Sequence, residues 1–155
     1  MMSGWIVVEI EEAKATLSLP ESALQLLEEE RTALIFLEAE AHFVATKGLR
    51  WWWEDFRREG VAHHFSEGNG FSHLTQIAPS STEIIYWIVE DVQFRPGYRT
   101  YEASVETIQS VIGECYGFEY TLIAKDLRWL ICETHSDVVI ATGEEVEQNL
   151  KTLIA

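Results

Sequence analysis

The sequence is poor in the residues that punctuate or cross-link a chain: it has three prolines, two cysteines and nine glycines in 155 residues. Cys115 and Cys132 form no disulfide framework, and without Cys-x-x-Cys or His-Glu-x-x-His spacing there is no recognisable zinc site. Basic residues are few. Eleven lysines and arginines stand against 26 acids, and the formal charge of -15 argues against nonspecific binding to nucleic acid or to an anionic membrane. No apolar run approaches the roughly 18 to 20 residues of a membrane-spanning helix, and no basic n-region marks a signal peptide. A soluble, cytoplasmic chain with reduced thiols is therefore expected. Gly-x-Ser-x-Gly, phosphate-cradling glycine loops and dinucleotide fingerprints are also missing, so the common hydrolase, kinase and Rossmann chemistries have no carrier. No cofactor and no metal is expected.

Apolar residues make up 47% of the chain, enough for one full core, so 1–155 is read as a single domain. Its most regular pattern runs over 118–143, where strands at 118–124, 129–133 and 138–141 are separated by two polar breaks of turn length. That is an antiparallel meander. Upstream, 83–90 is apolar on both faces, as a central strand is, and 98–101 adds a short edge strand after an Arg95-Pro96-Gly97 turn. Ser104 caps a helix with Val105, Ile108, Val111 and Ile112 inward, Gly113 and Gly117 bracketing its end, and Val146, Leu150, Leu153 and Ile154 line a last one. The N-terminal part, about 4–47, reads as helical. Ser3 caps a first helix through Ile6, Val7, Ile10, Ala13 and Leu17, with a strand at 5–10 as the competing reading. A second helix opens at Pro20 with a stripe of Leu24, Leu27, Leu34, Leu37, Ala41 and Val44, although its length invites a break near Arg31 or a strand at 33–37. The middle, 60–82, is loop-rich, and His63, His64 and His73 there read as solvated loop side chains. The expected fold is α+β: a mostly antiparallel sheet with a C-terminal three-strand meander and helices mainly on one face, with Ile85, Trp87, Val89, Leu122, Leu130, Val139 and Ile140 buried.

Two constellations could carry function. Trp51, Trp52 and Trp53 are consecutive, so they cannot all face one core, and at least one is expected near the surface beside Glu54 and Asp55. Such a cluster suits partner binding. Its structural alternative is packing under a loop or at a core edge. Glu133, His135 and Asp137 alternate, and in an extended strand all three would point to one side as a polar, metal or acid/base site. As the turn of a hairpin they carry no chemistry, with Asp137 bonding local backbone amides. Cys132 has no identified base and reads as a buried structural thiol.

Glu119-Tyr120, Lys125-Asp126-Leu127, Trp129-Leu130-Ile131-Cys132-Glu133, His135 and Asp137-Val138 resemble the C-terminal signature of a bacterial domain family of unknown function. Trp51-Trp52-Trp53-Glu54 and Glu90-Asp91 are similar to it as well. The likeness covers about 50–143, leaves out the N-terminal third, and implies an intracellular bacterial α+β domain with no assigned catalytic residue. In layout and charge the chain also resembles small acidic immunity proteins that neutralise bacterial toxins. Three readings follow. The first is an acidic binding protein that sequesters a basic protein partner, a toxin in the immunity case, and it is preferred because no catalytic motif competes. The second is a metal-dependent or acid/base enzyme using Glu133, His135 and Asp137. The third is a structural or regulatory interaction module.

Overall fold

The computed structural model describes residues 5–94, 97–116 and 118–155. Ser3, Arg95, Pro96 and Gly117 lie outside the described residues. Among them runs a seven-stranded sheet, antiparallel at every pairing, in the order β1-β4-β3-β5-β6-β7-β2. In chain order these strands are β1 (Leu24–Leu26), β2 (Val61–His64), β3 (Ile84–Glu90), β4 (Tyr98–Ser104), β5 (Tyr120–Ile123), β6 (Leu130–Glu133) and β7 (Val138–Thr142). The meander stands as expected, and the 84–90 strand is interior. Among the described residues five α-helices accompany the sheet: α1 (Trp5–Thr16), α2 (Glu29–Phe43), α3 (Leu74–Ile77), α4 (Val105–Gly113) and α5 (Glu144–Ile154).

Period-two alternation along the strands builds two cores, one on each face. Ile85, Trp87 and Val89 of β3, Tyr101 of β4, Leu122 of β5 and Val139 of β7 face α1, α3, α4 and α5. Their intervening neighbours Ile88, Ile123, Leu130 and Cys132 face α2 and Trp52. Helices thus lie mainly on one face. Ile140 falls on the thinner side and is only half-buried, unlike the fully buried Val139 beside it.

The first helix forms as read and the competing strand at 5–10 does not, because Ile6, Val7, Ile10 and Ala13 can all reach the main core only at helical spacing. Other expectations are corrected. The single helix from Pro20 does not form. A 3₁₀ turn at Glu21–Ala23 leads into β1, which pairs with β4, and α2 begins only at Glu29. Its buried face is Thr32, Ile35, Ala39 and Phe43, while Leu34 and Leu37 are exposed, because the turn and strand shift the helical phase. Lys14, buried, anchors the segment by donating to the Leu24 carbonyl at 2.8 Å and pairing with Glu21 at 3.0 Å. The strand at 98–101 is longer and is no edge, because β1 covers it. The middle is less loop-rich than expected: β2 closes the far edge of the sheet on β7, and α3 follows. His63 and His73 pack against Phe65, with ring centroids 4.7 and 5.2 Å away, and only His64 stands exposed.

Both thiols are free. Cys132 is buried as expected, whereas Cys115, just past α4, is half-buried. Ser104 caps α4 by accepting from the Thr107 amide at 3.2 Å. No helix is long and apolar enough among the described residues to cross a membrane.

Candidate functional site

The antiparallel topology brings the C-terminal end of β3, the N-terminal end of β5 and the C-terminal end of β6 to one end of the sheet. Glu90, Glu119 and Glu133 therefore converge there from segments far apart in sequence. Tyr120 and Glu133 are direct cross-strand partners, so their side chains leave the same face. Against this end folds the loop that carries the tryptophans. The Val44–Phe56 bridge and the Arg57 amide donating to the Phe43 carbonyl at 2.9 Å close the loop's base, while Trp52–Asp55 forms a 3₁₀ turn at its tip.

The three tryptophans separate as consecutive side chains must. Trp52 is buried against Phe36, 4.8 Å between centroids, and belongs to the α2-side core. Trp51 and Trp53 are half-buried and stack on each other at 6.1 Å. Sequence reasoning kept this cluster apart from His135. In the structure the two are one site: the imidazole lies 5.0 Å from Trp51 and 6.0 Å from Trp53, and its Nδ1 is 3.2 Å from the Glu119 carboxylate. Arg50 completes the group. Its guanidinium forks onto Glu90 at 2.9 and 3.0 Å and lies over the Trp51 ring at 5.0 Å.

Beside these rings opens a cavity of about 510 Å³, with Phe71, Ile112 and Phe118 on its apolar side and Glu90, Glu119, Tyr120, Glu133, His135 and Asp137 on its polar side. A second, smaller space of about 50 Å³ lies under the tryptophan loop and shares Glu90, Glu119 and Tyr120 with it. Glu133 is 7% exposed and Tyr120 2%. Burial raises the Glu133 carboxyl above the ordinary glutamate range, with Asp137 acting in the same direction and Tyr120 against it. The Tyr120 phenol is driven well above its usual value by burial and then by Glu133. The two groups interact, yet the phenol oxygen makes no well-formed hydrogen bond.

Glu133, His135 and Asp137 all line the large cavity, but not as one extended row. Glu133 ends β6, His135 stands exposed in the turn, and Asp137 adopts a left-handed φ of 61°. The backbone amides of that turn are satisfied by the Thr134 hydroxyl, which accepts from Ser136 at 3.1 Å, and not by Asp137 as expected. Glu54 and Asp55 are exposed and line neither cavity; the Asp55 carboxylate accepts from Thr46 at 2.5 Å. Arg50, Glu90, Glu119 and Tyr120 were not singled out as site residues from the sequence. Glu90, Glu119 and Tyr120 stand in the family-like stretches and at strand ends, and Arg50 beside the tryptophans, but nothing joins them until the strand order is known. No group of three or more His, Cys, Asp and Glu side chains is placed to hold a metal ion among the described residues.

No curated protein and no solved structure matches the chain. The family match does not stop at the tryptophan loop and the meander but spans 5–154, taking in the N-terminal third as well. The chain belongs to the family of unknown function DUF6756.

Proposed function

We propose that this protein is a binding protein whose open sheet end takes a basic protein partner, in the manner of a cytoplasmic immunity protein that neutralises a bacterial toxin. The observation that carries the reading is the stacked, half-buried Trp51 and Trp53 joined to His135 beside Glu90 and Glu119, with Glu133 on the adjoining cavity. Aromatic rings supply contact area at low entropic cost, and the acids beside them supply complementarity to lysine and arginine. The charge of -15 acts earlier, raising the encounter rate with a basic surface and disfavouring nucleic acid. That attraction is screened within about 8 to 10 Å at physiological salt, so the rings must provide the residence time.

The test uses the product of the neighbouring gene, with binding kinetics followed at two salt concentrations. Trp52 is the ring buried in the core and Trp53 packs on its rim, so Trp53→Ala should lower stability while leaving a folded chain, checked by its melt, and should speed dissociation by an amount corresponding to about 2 to 4 kcal/mol. Neutralising Glu54 and Asp55 should instead slow association and flatten its salt dependence. Wild-type kinetics in the Trp53 variant would contradict the assignment.

A second reading, acid/base catalysis, rests on Glu133, a buried carboxyl with a raised proton affinity beside an open cavity. Its mark would be turnover abolished in Glu133→Gln.

A further inference from the structure

We infer that the 510 Å³ cavity is the receptor for one arginine side chain of the partner, its guanidinium seated on Glu133 between Glu119 and Asp137. This deepens the binding reading above and rests on it. The volume lies inside the range of roughly 300 to 1,000 Å³ usual for small-ligand sites. The lining holds both kinds of group that such a side chain needs: Phe71, Ile112 and Phe118 offer apolar surface for the stem, and Glu119, Glu133 and Asp137 offer carboxylates for the head.

What singles this cavity out is a buried charge that lacks a counter-charge. Glu133 is more than nine-tenths buried, and no lysine, arginine or histidine lies within ion-pair distance of it among the described residues. Removing a carboxylate from water without a cation is unfavourable, and most buried acids are paired for that reason. Tyr120, buried beside it on the same cavity, also holds its hydroxyl without a well-formed hydrogen bond. A buried acid without a cation and a buried hydroxyl without a well-formed hydrogen bond therefore meet one space large enough to admit a donor.

Guanidinium is favoured over ammonium by the chain's own example next door. Arg50 forks onto Glu90 and lies on the Trp51 ring, and the cavity repeats those parts, with carboxylates for the fork and Phe71, Phe118 and His135 in its own lining for the planar face. An ammonium can use neither the bidentate geometry nor the stacking. A divalent metal is a poorer occupant, because no cluster of three donors is in place among the described residues.

The experiment titrates acetyl-Gly-Arg-Gly-amide, and its citrulline and lysine counterparts, into the full chain while recording amide and indole NMR shifts. The arginine peptide should bind saturably, moving the signals of Tyr120, Glu133 and the Trp5 indole, all of which line the cavity. Citrulline, which keeps the shape and loses the charge, should bind at least about tenfold more weakly, as should the arginine peptide to Glu133→Gln; tenfold corresponds to losing one charge-assisted contact. Absence of saturable arginine binding, equal affinity for citrulline or lysine, or an unchanged affinity in a folded Glu133→Gln each overturns the assignment. Should that variant fail to fold, Asp137→Asn, on the exposed turn, replaces it, and the same loss or its absence decides. Partner binding that depends on Trp53 while the arginine peptide finds no site would leave the binding surface standing and remove the cavity from it.

Discussion

Glu133 is the residue on which the chemistry and the stability of this fold pull in opposite directions. Burial holds its carboxyl in the protonated form to higher pH than in the unfolded chain. A group whose folded pKa is raised gives its full stabilisation below the unfolded value and loses it as pH climbs through the folded one. Above the ordinary glutamate range the buried Glu133 is thus a stability cost, and at neutral pH Glu133→Gln should melt higher than the parent. The gap should close as pH falls below the ordinary glutamate range. Each 1 kcal/mol of relief corresponds to about 2 to 4 °C for a domain of this size. Thermal melts of both proteins across pH check this, and a variant that melts lower at neutral pH contradicts it. Keeping a strained acid where a neutral one would be more stable is the pattern expected of a functional position. Cys132 shows the contrast: burial drives its thiol pKa up, with Glu119 and Glu133 adding to it, so it behaves as core. Cys115, pushed up to about 12 chiefly by burial, is equally unreactive at neutral pH. From the sequence Glu133, His135 and Asp137 were legible as polar groups at period two. That only Glu133 is buried was not, because burial depends on what the other end of the chain brings to the cavity.

At the scale of elements, the meander was legible because each of its signals is local. Strand residues alternate around short polar breaks, and the turns are set by neighbours: Asp126 accepts from the Arg128 amide at 3.1 Å, and Thr134 does the same for Ser136. The end of β7 depends on one glycine. Gly143 has φ 126°, and a Cβ there would stand 2.6 Å from the Arg128 carbonyl oxygen and 2.9 Å from Trp129 Cβ. Gly143→Ala combines a forbidden backbone conformation with a clash against backbone, so it should cost about 3 kcal/mol or more. Denaturant unfolding measures it, and a loss under 1 kcal/mol, roughly the intrinsic Gly-to-Ala difference, would mean that the turn relaxes. The α2 region was not legible for the opposite reason. Nothing between Pro20 and Glu29 announces a strand, and Leu24–Leu26 is extended because β4, more than seventy residues later, offers it an edge. The same non-local pairing turned Leu34 and Leu37 outward. Likewise β2 is a strand because β7 has an open side.

Across the whole molecule the surplus of 15 negative charges works against compactness. Acids outnumber bases more than twofold, and several arginines are already engaged, Arg50 with Glu90, Arg58 with Glu147 and Arg128 with Asp126. Those exposed pairs contribute little individually, whereas like-charge repulsion acts over the whole surface and is screened by salt. The melting temperature should therefore rise between low and moderate sodium chloride. A fall would mean that the surface pairs outweigh the net repulsion. The sequence by itself determined the α+β class, the three-strand meander, the interior strand at Ile84–Glu90, the α4 face, the α5 face apart from Ile154, which is exposed, and the splitting of Trp51, Trp52 and Trp53, because periodicity, capping and side-chain divergence are properties of neighbours along the chain. Only the tertiary structure decided that the tryptophan loop and the His135 turn form one site, that Glu90, Glu119 and Tyr120 belong to it, and that Glu54 and Asp55 stand apart. Those facts follow from strand order, and strand order is fixed by which faces and edges can be buried together, a condition that no short window of residues contains.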